Sequence, residues 1–394
     1  MADIKRYLQW IGSCQIDNRI YFMDMTFNGM FYLDILDWSV HFVHRFSGVE
    51  TNRSELSYVS IFRDDSIYFF PNNAKIVMKY NIVTQEEQII SIENCDCDFF
   101  VTVAAVRNRQ FIYLFPFDLT LGVYVLNLQD QSVTRDTALC KLFGNRTYCG
   151  NVVPMDNGNL LIGLYGNNQL MEIDITEKKI ISCKNLEGDI KIYSICSDGN
   201  NCWILTTNST DIYEWSPEND TTQIYVNENP VWETQTKGMP YSNLIFLENE
   251  ILVLNATLKY IYRIDKNKKI IASPIRLPEE FHRMNYGNGF SAICYDYKIL
   301  EDKVLIYPCW GNMLLVYDKA TKQIEGKKTA IWGREIPYSS EIFMKHYRGR
   351  DRYMEDRDIT TLEGFMVMLG YEAGENRSEK NTGIGWEIHH SVLK

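Results

Sequence analysis

Histidine is the side chain best suited to proton transfer near neutral pH, and it occurs six times in this sequence of 394 residues. His282 lies in "EEFHRMNY", two residues after Glu280 and shortly before Arg283 and Tyr286. An acid, a base and an anion-binding arginine this close in sequence could serve proton transfer in lyase, epimerase or hydrolase chemistry. We take His282, Glu280, Arg283 and Tyr286 as catalytic candidates, although the pattern favours a structural role for a loop histidine.

Metal binding is the second chemistry to consider. His41 and His44 lie in "VHFVHRF", whose alternation predicts a strand, so we expect both at a surface or an edge and not on one face of a helix. Cys95 and Cys97 form a C-x-C pair without a second pair at zinc-ligand spacing. Most of the ten cysteines fall within apolar strand patterns, which favours reduced, unpaired thiols. The sequence therefore predicts no metal and no cofactor.

Composition and charge exclude two classes of partner. The 40 basic and 51 acidic residues give a net charge of −11, which would repel a nucleic-acid backbone. No stretch reaches the roughly 18 apolar residues of a membrane helix, and the start, "MADIKRYLQWIG", lacks the apolar core of a signal peptide. We therefore expect a soluble, cytoplasmic protein that is a monomer and contacts neither nucleic acid nor membrane.

A repeat in the sequence predicts the secondary-structure elements that would position these candidate residues. Seven short segments with alternating apolar residues each end on an acidic, amide or hydroxyl residue. Their last residues are 42 to 53 positions apart. They are "FYLD" (31–34), "MKYN" (78–81), "YVLN" (124–127), "MEID" (171–174), "YEWS" (213–216), "YRID" (262–265) and "LVYD" (315–318). A polar turn followed by another apolar run precedes each of them, as in "DDSIYF" and "DNGNLLI". Seven copies of one unit in constant register indicate a repeat architecture.

Each unit divides into four short strands joined by turns that contain Asn, Asp and Gly, the residues typical of β-hairpin turns. Four strands per unit at this period are typical of β-propeller blades. The fold class predicted is all-β, a seven-bladed β-propeller with four-stranded antiparallel blades over residues 1–333. The blades span about 7–46, 57–94, 99–139, 148–187, 190–228, 239–278 and 290–333. Small residues recur in the first strand of each unit, where blades crowd together: Gly12, Ser60, Thr102, Gly150, Ser194, Ser242 and Ser291.

The repeat resembles the broad β-propeller repeat superfamily of YVTN, PQQ-like and NHL-type blades, through units such as "YRID…K" over roughly residues 7–333. WD-type repeats fit less well, because no "GH…WD" pair is present, and the kelch double glycines are missing. The resemblance implies a fold and little about function, since propellers include binding scaffolds, lyases, hydrolases and oxidoreductases.

A recurring aromatic–proline motif predicts where a ligand could bind. "IYFFPNN", "IYLFPFD" and "LIYPCWGN" each end a second strand, because proline has no N–H for the ladder. The turns that follow should gather on one face with the long inter-blade connections, where recognition residues concentrate. The predicted ligand-binding face consists of Phe70, Phe117, Arg146, Tyr148, Tyr165, Trp232, Tyr241, Arg283, Tyr286 and Trp310. Any one aromatic among them could instead cover the edge of a neighbouring blade.

The predicted function is therefore non-catalytic: a binding or scaffold protein that recognises a peptide, a protein segment or a glycan. The alternative is a propeller enzyme of lyase, epimerase or hydrolase type, with a site near His282 and Tyr286. No G-x-S-x-G, H-E-x-x-H, P-loop or dinucleotide motif supports an enzyme.

The C-terminal extension, residues 334–394, has a different pattern. Thr360 and Glu363 form a capping box ahead of an apolar stripe at helical spacing over 362–369. A helix of about two turns is marginal alone, so we expect a short, mostly helical extension packed on the propeller. "WEIHHSV" is a candidate for an additional strand.

Overall fold

The computed structural model describes most of the chain up to Glu335. The described residues are 10–24, 29–47, 49, 57–72, 74–92, 101–107, 110–144, 148–227, 240–255, 260–272, 274–281, 294–308, 313–327, 330–331 and 334–335. The predicted C-terminal helix and the "WEIHHSV" strand lie outside them, as do Cys95, Cys97 and Ser291. Within the described part, no helix is long and apolar enough to span a bilayer.

Seven antiparallel sheets follow one another along the chain. Blade 1 contains β1 (Trp10–Ile16), β2 (Arg19–Asp24), β3 (Gly29–Asp34) and β4 (Ser39–Arg45). Blade 2 contains β5 (Ser57–Arg63), β6 (Ser66–Pro71), β7 (Ile76–Asn81) and β8 (Glu87–Ser91). Blade 3 contains β9 (Val101–Arg107), β10 (Phe111–Pro116), β11 (Tyr124–Asn127) and β12 (Ser132–Arg135), with a 3₁₀ turn at Leu119–Leu121. The helix α1 (Thr137–Phe143) follows, with Asp136 as its N-cap.

The later blades repeat the same order. Blade 4 contains β13 (Cys149–Pro154), β14 (Leu160–Leu164), β15 (Gln169–Asp174) and β16 (Lys179–Asn185). Blade 5 contains β17 (Ile192–Ser197), β18 (Cys202–Thr206), β19 (Ile212–Ser216) and β20 (Thr221–Tyr225). Blade 6 contains β21 (Tyr241–Phe246), β22 (Ile251–Asn255), β23 (Ile261–Asp265) and β24 (Ile270–Ile271). Blade 7 contains β25 (Cys294–Ile299), β26 (Lys303–Pro308), β27 (Leu314–Asp318) and β28 (Ile324–Lys327). Two short strands, β29 (Ala330–Ile331) and β30 (Arg334–Glu335), are the last ones in the described part of the chain.

Within every blade the strands are neighbours in the order of the sequence. The chain is therefore a seven-bladed β-propeller, which confirms the fold class that the repeat predicts. Residue contacts divide the chain into two compact units. Residues 1–89, 277–284 and 295–394 form the first, with blade 1 and nearly all of blades 2 and 7, and residues 90–276 and 285–294 form the second, with blades 3 to 6.

The burial of each strand follows from its place in the blade. The second strands β14, β18 and β22 are buried along their whole length, because both of their faces pack against protein. They consequently read as continuous apolar runs such as "LLIGL" and "ILVLN". The fourth strand β16, in contrast, is mostly exposed and carries Lys and Ser between its apolar residues.

The prolines of the aromatic–proline motif end the second strands of their blades, as predicted. Pro71, Pro116 and Pro308 are the last residues of β6, β10 and β26. A proline cannot donate a ladder hydrogen bond, so each strand ends where the chain must turn towards the third strand.

A one-residue β-bulge recurs in the first strand of blades 1 to 6. In β9, β13 and β21 the additional residue is Thr102, Gly150 and Ser242, and in β17 it is Tyr193. A bulge re-aims the side chain at its position. Crowding explains the small residues: a Cβ on Gly150 would lie 2.6 Å from the carbonyl oxygen of Tyr193 in the next blade.

In the first unit, the chain after blade 7 pairs with blade 1. Strand β29 lies parallel to β4, with Ala330 opposite Ser39 and Ile331 opposite Val40. The sheet of blade 1 thereby grows to six strands, in the order β1-β2-β3-β4-β29-β30. In the second unit, Val226 likewise leaves β20 and pairs in parallel with Ile270 of the following blade. The outer edges of these fourth strands are thus covered by the exit from another blade, which protects them from foreign strands.

Candidate functional site

Three predicted ligand-face residues meet at one end of blades 3 and 4, in the second unit. Phe117 follows β10, Tyr148 precedes β13 and Tyr165 follows β14. Backbone hydrogen bonds hold the three segments side by side: the Cys149 N–H donates to the Phe117 carbonyl at 2.8 Å, and the Tyr165 N–H donates to the Tyr148 carbonyl at 3.1 Å. The ring centroid of Phe117 lies 5.1 Å from that of Tyr148 and 5.3 Å from that of Tyr165.

Tyr193 of blade 5 extends this group. Its ring centroid lies 6.2 Å from that of Tyr165, in an edge-on arrangement. Tyr193 is the bulged residue of β17, so the bulge turns its ring towards Tyr165. Burial raises the pKa of Tyr193 to about 12. We call Phe117, Tyr148, Tyr165 and Tyr193 the aromatic row.

The aromatic row presents a platform and not a cage. Its neighbouring rings lie at the distances of direct aromatic packing, so no ligand fits between them. The side chain of Tyr148 is 44% exposed, and those of Phe117, Tyr165 and Tyr193 are half-buried. A ligand would consequently lie on the row, across the ends of three consecutive blades.

The connection between blades 4 and 5 flanks the row. Its two ends are tied to the turn after Tyr165: the Leu186 N–H donates to the Asn168 carbonyl, and the Ile192 N–H donates to the Asn167 carbonyl, both at 2.8 Å. The segment 187–191 therefore projects beside that turn. Its side chains are exposed from Glu187 to Asp189.

Two predicted face residues lie in the protein interior. Phe70 is fully buried at the end of β6. Tyr241 is 2% exposed; its hydroxyl donates to the Thr210 carbonyl at 2.9 Å and accepts from the side-chain amide of Asn227 at 2.6 Å. Both aromatics contribute to packing, and neither presents a ring face to solvent.

The other predicted site residues lie outside the described residues. They are Arg146, Trp232, Arg283, Tyr286 and Trp310 of the face, and the catalytic candidate His282. Glu280, the remaining catalytic candidate, is an exposed residue of the turn in which the Phe281 N–H donates to the Pro278 carbonyl. The catalytic constellation stays a prediction.

Sequence reasoning missed Tyr193. The residue sits inside a strand, where alternation assigns its side chain to a packed face of the blade. The recurrent bulge reverses that assignment, because the structure aligns Tyr193, and not Ser194, with Gly150 and Ser242 of the neighbouring units.

His41 and His44 both lie in β4, in the strand predicted for them, and are half-buried. His44 Nε2 lies 2.5 Å from Glu87 Oε2 of β8, and its ring packs against Tyr80 at 4.9 Å. The ring of His41 stacks on Tyr32 at 4.7 Å. In the described part of the chain, no three His, Cys, Asp or Glu side chains group as they would around a metal ion.

Comparison with known proteins supports the fold alone. No protein-family model matches the sequence, and no curated protein matches it. Among solved structures the chain is similar to a streptogramin B lyase, with a TM-score of 0.58 and 13% identity over 82% of this chain and 97% of that chain. It is also similar to a virginiamycin B lyase from Staphylococcus aureus, with a TM-score of 0.57 and 11% identity over 77% of this chain and 93% of the lyase.

A third neighbour is the extracellular domain of a one component system, BT4673, from B. thetaiotaomicron. Its TM-score is 0.53 at 13% identity, over 79% of this chain and 39% of that chain. Identities this low show a shared β-propeller fold. Because that fold is common to an enzyme and to an extracellular domain of a one component system, function must be argued from the site.

Proposed function

We propose that this protein is a binding protein whose ligand, a peptide, a protein segment or a glycan, lies on the aromatic row. The observation that carries the proposal is the contact of Phe117 with both Tyr148 and Tyr165, which assembles side chains from two blades into one partly exposed surface. Tyrosine offers a large, stiff face and a polar hydroxyl, and it is enriched among residues that dominate binding energy.

The rigidity of the row supports the same function. Phe117, Tyr148 and Tyr165 border strands and Tyr193 lies within β17, so hydrogen bonds of the strands and turns hold the backbone of the row. The mutual packing of the rings and the close approach of Gly150 to Tyr193 fix the surface before a ligand arrives. Preorganisation of this kind raises affinity without additional contacts.

The alternative function, a propeller enzyme with a site near His282 and Tyr286, depends on residues outside the described part.

Screening the full-length protein against a glycan array and a displayed library of random peptides tests the proposal. The same screens are run with Tyr165→Ala and, as the matched control, with Phe62→Ala, which removes a partly exposed aromatic of β5 outside the row. We expect one screen to give ligands that the wild type and Phe62→Ala bind and Tyr165→Ala does not. Ligands that bind all three proteins equally would refute the proposal.

A further inference from the structure

Blades 4 and 5 concentrate negative charge. Residues 148–227 contain eleven Asp and Glu against four Lys and no Arg, a net charge of −7, whereas the whole chain carries −11. These blades contribute Tyr148, Tyr165 and Tyr193 to the aromatic row. Three of the four residues of the row thus belong to the most acidic continuous segment that the structure describes.

Many of these carboxylates are already used by the fold. Asp174 accepts hydrogen bonds from the backbone of its own hairpin turn, Asp198 accepts from the Trp203 indole N–H, and Asp220 pairs with Lys184. All three lie at the hairpin turns opposite to the end that carries the row.

Glu187 and Asp189 differ from these residues. Both are exposed in the segment 187–191 beside the turn after Tyr165. Within the described part of the chain, neither carboxylate forms a hydrogen bond or an ion pair, and Asp189 is held only through its backbone carbonyl, which accepts from Asn208. Lys191, at the end of the same segment, is the one basic side chain there. Two carboxylates therefore remain available beside an aromatic platform.

We propose that the aromatic row takes a basic peptide segment, whose Lys or Arg side chains lie on the rings and reach Glu187 and Asp189. This inference rests on the proposed function and names its ligand. The aliphatic stems of Lys and Arg cover aromatic faces while their charged ends remain at the surface. Cations are attracted to aromatic faces, and the exposed carboxylates of Glu187 and Asp189 attract a basic partner to this end of the blades.

A random library of 12-residue peptides displayed on phage provides the probe. The immobilised full-length protein selects peptides at low salt, and the affinities of the synthesised peptides are then measured by fluorescence anisotropy. Three variants are compared with the wild type: Glu187→Gln with Asp189→Asn, Tyr165→Ala alone, and the control Asp156→Asn with Glu218→Gln. The control removes the same charge from two exposed carboxylates at the opposite hairpin turns.

We expect the selected peptides to be rich in Lys and Arg. Removing Glu187 and Asp189 should weaken their binding about two- to thirtyfold at low salt, as for two exposed ion pairs, and less in high salt. The control should bind like the wild type, and Tyr165→Ala should lose binding.

Neutral or acidic peptides that still require Tyr165 would overturn the basic-peptide inference and leave the proposed function standing. A library that yields no peptide would also overturn the inference, and the proposed function would then depend on the glycan array. Peptides that bind the wild type and Tyr165→Ala equally would overturn both.

Discussion

The backbone N–H and the hydroxyl of Ser13 both donate to one carboxylate oxygen of Asp296, the N–H at 2.8 Å. Ser13 lies at the bulge of β1 and Asp296 lies in β25, so this contact joins the first strand of blade 1 to the first strand of blade 7 within the first unit. The other oxygen of Asp296 lies 2.9 Å from the ammonium of Lys298. One carboxylate thus satisfies a bulge N–H and a partly buried cation together.

Replacing Asp296 by Ala should destabilise the protein by about 1–3 kcal/mol, because the Ser13 N–H loses its acceptor and the Lys298 ammonium loses its carboxylate. Urea unfolding followed by fluorescence measures this loss. Asp302→Ala is the control, since its carboxylate is 69% exposed and its pair with Lys303 at 3.5 Å contributes little. Equal stability of the two variants would show that the contact with Ser13 does not hold these strands together.

Stability should fall as the pH is lowered from about 7.5 to 5.5, in part through His41. Burial lowers the pKa of His41 from its usual value of 6.5, outweighing the nearby carboxylate of Asp37. Below pH 6.5 the unfolded state therefore binds a proton that the folded state does not, and stability decreases until the pH reaches the folded pKa. His41→Gln should have a smaller slope of unfolding free energy against pH. An unchanged slope would exclude His41 as a source of this dependence.

Strand β29 should stabilise blade 1. A chain that ends at Glu335 keeps the pairing of Ala330 and Ile331 with β4, whereas a chain that ends at Lys327 loses it. We expect the shorter chain to be less stable by about 1–2 kcal/mol, the contribution of one or two backbone hydrogen bonds, and to expose the edge of β4. Thermal unfolding of the two truncated proteins measures the difference, and identical melting temperatures would contradict it.

Gly150→Ala should displace Tyr193 and thereby disturb the aromatic row. The added methyl would overlap the carbonyl oxygen of Tyr193, a backbone atom that moves only with its strand. We expect a loss of about 1–3 kcal/mol in stability, as for other overpacked sites, together with weaker ligand binding, since β17 positions Tyr193. A variant that binds ligand with unchanged affinity would show that the row does not depend on this approach.

The sequence predicts local features of the fold well. Proline at the end of β6, β10 and β26 ends the strand because it has no N–H to donate. The aromatic–proline motif therefore locates the strand ends without knowledge of the tertiary structure. The seven units follow for a similar reason, because alternation and turn residues repeat within each of them.

Features that depend on packing between distant segments were not predictable. Phe70 precedes a proline as Phe115 does, but both are fully buried because the second strand is covered on both faces up to its end. Tyr193 required knowledge of a bulge, and the pairing of Ala330 with Ser39 joins the two ends of the described chain. The contact of Phe117 with Tyr148 and Tyr165 is the feature of the site that the sequence most nearly predicted. The positions of these residues in turns were enough to place all three at one end of the blades.

The affinity of a selected ligand for the wild type and for Tyr148→Ala, measured by isothermal titration calorimetry, tests most directly whether the aromatic row binds the ligand. Tyr148 has the most exposed ring of the row, so its removal should leave the fold intact. The binding account predicts a loss of about 1–3 kcal/mol, roughly five- to 150-fold in Kd, with unchanged thermal stability. Equal dissociation constants for the two proteins would contradict it.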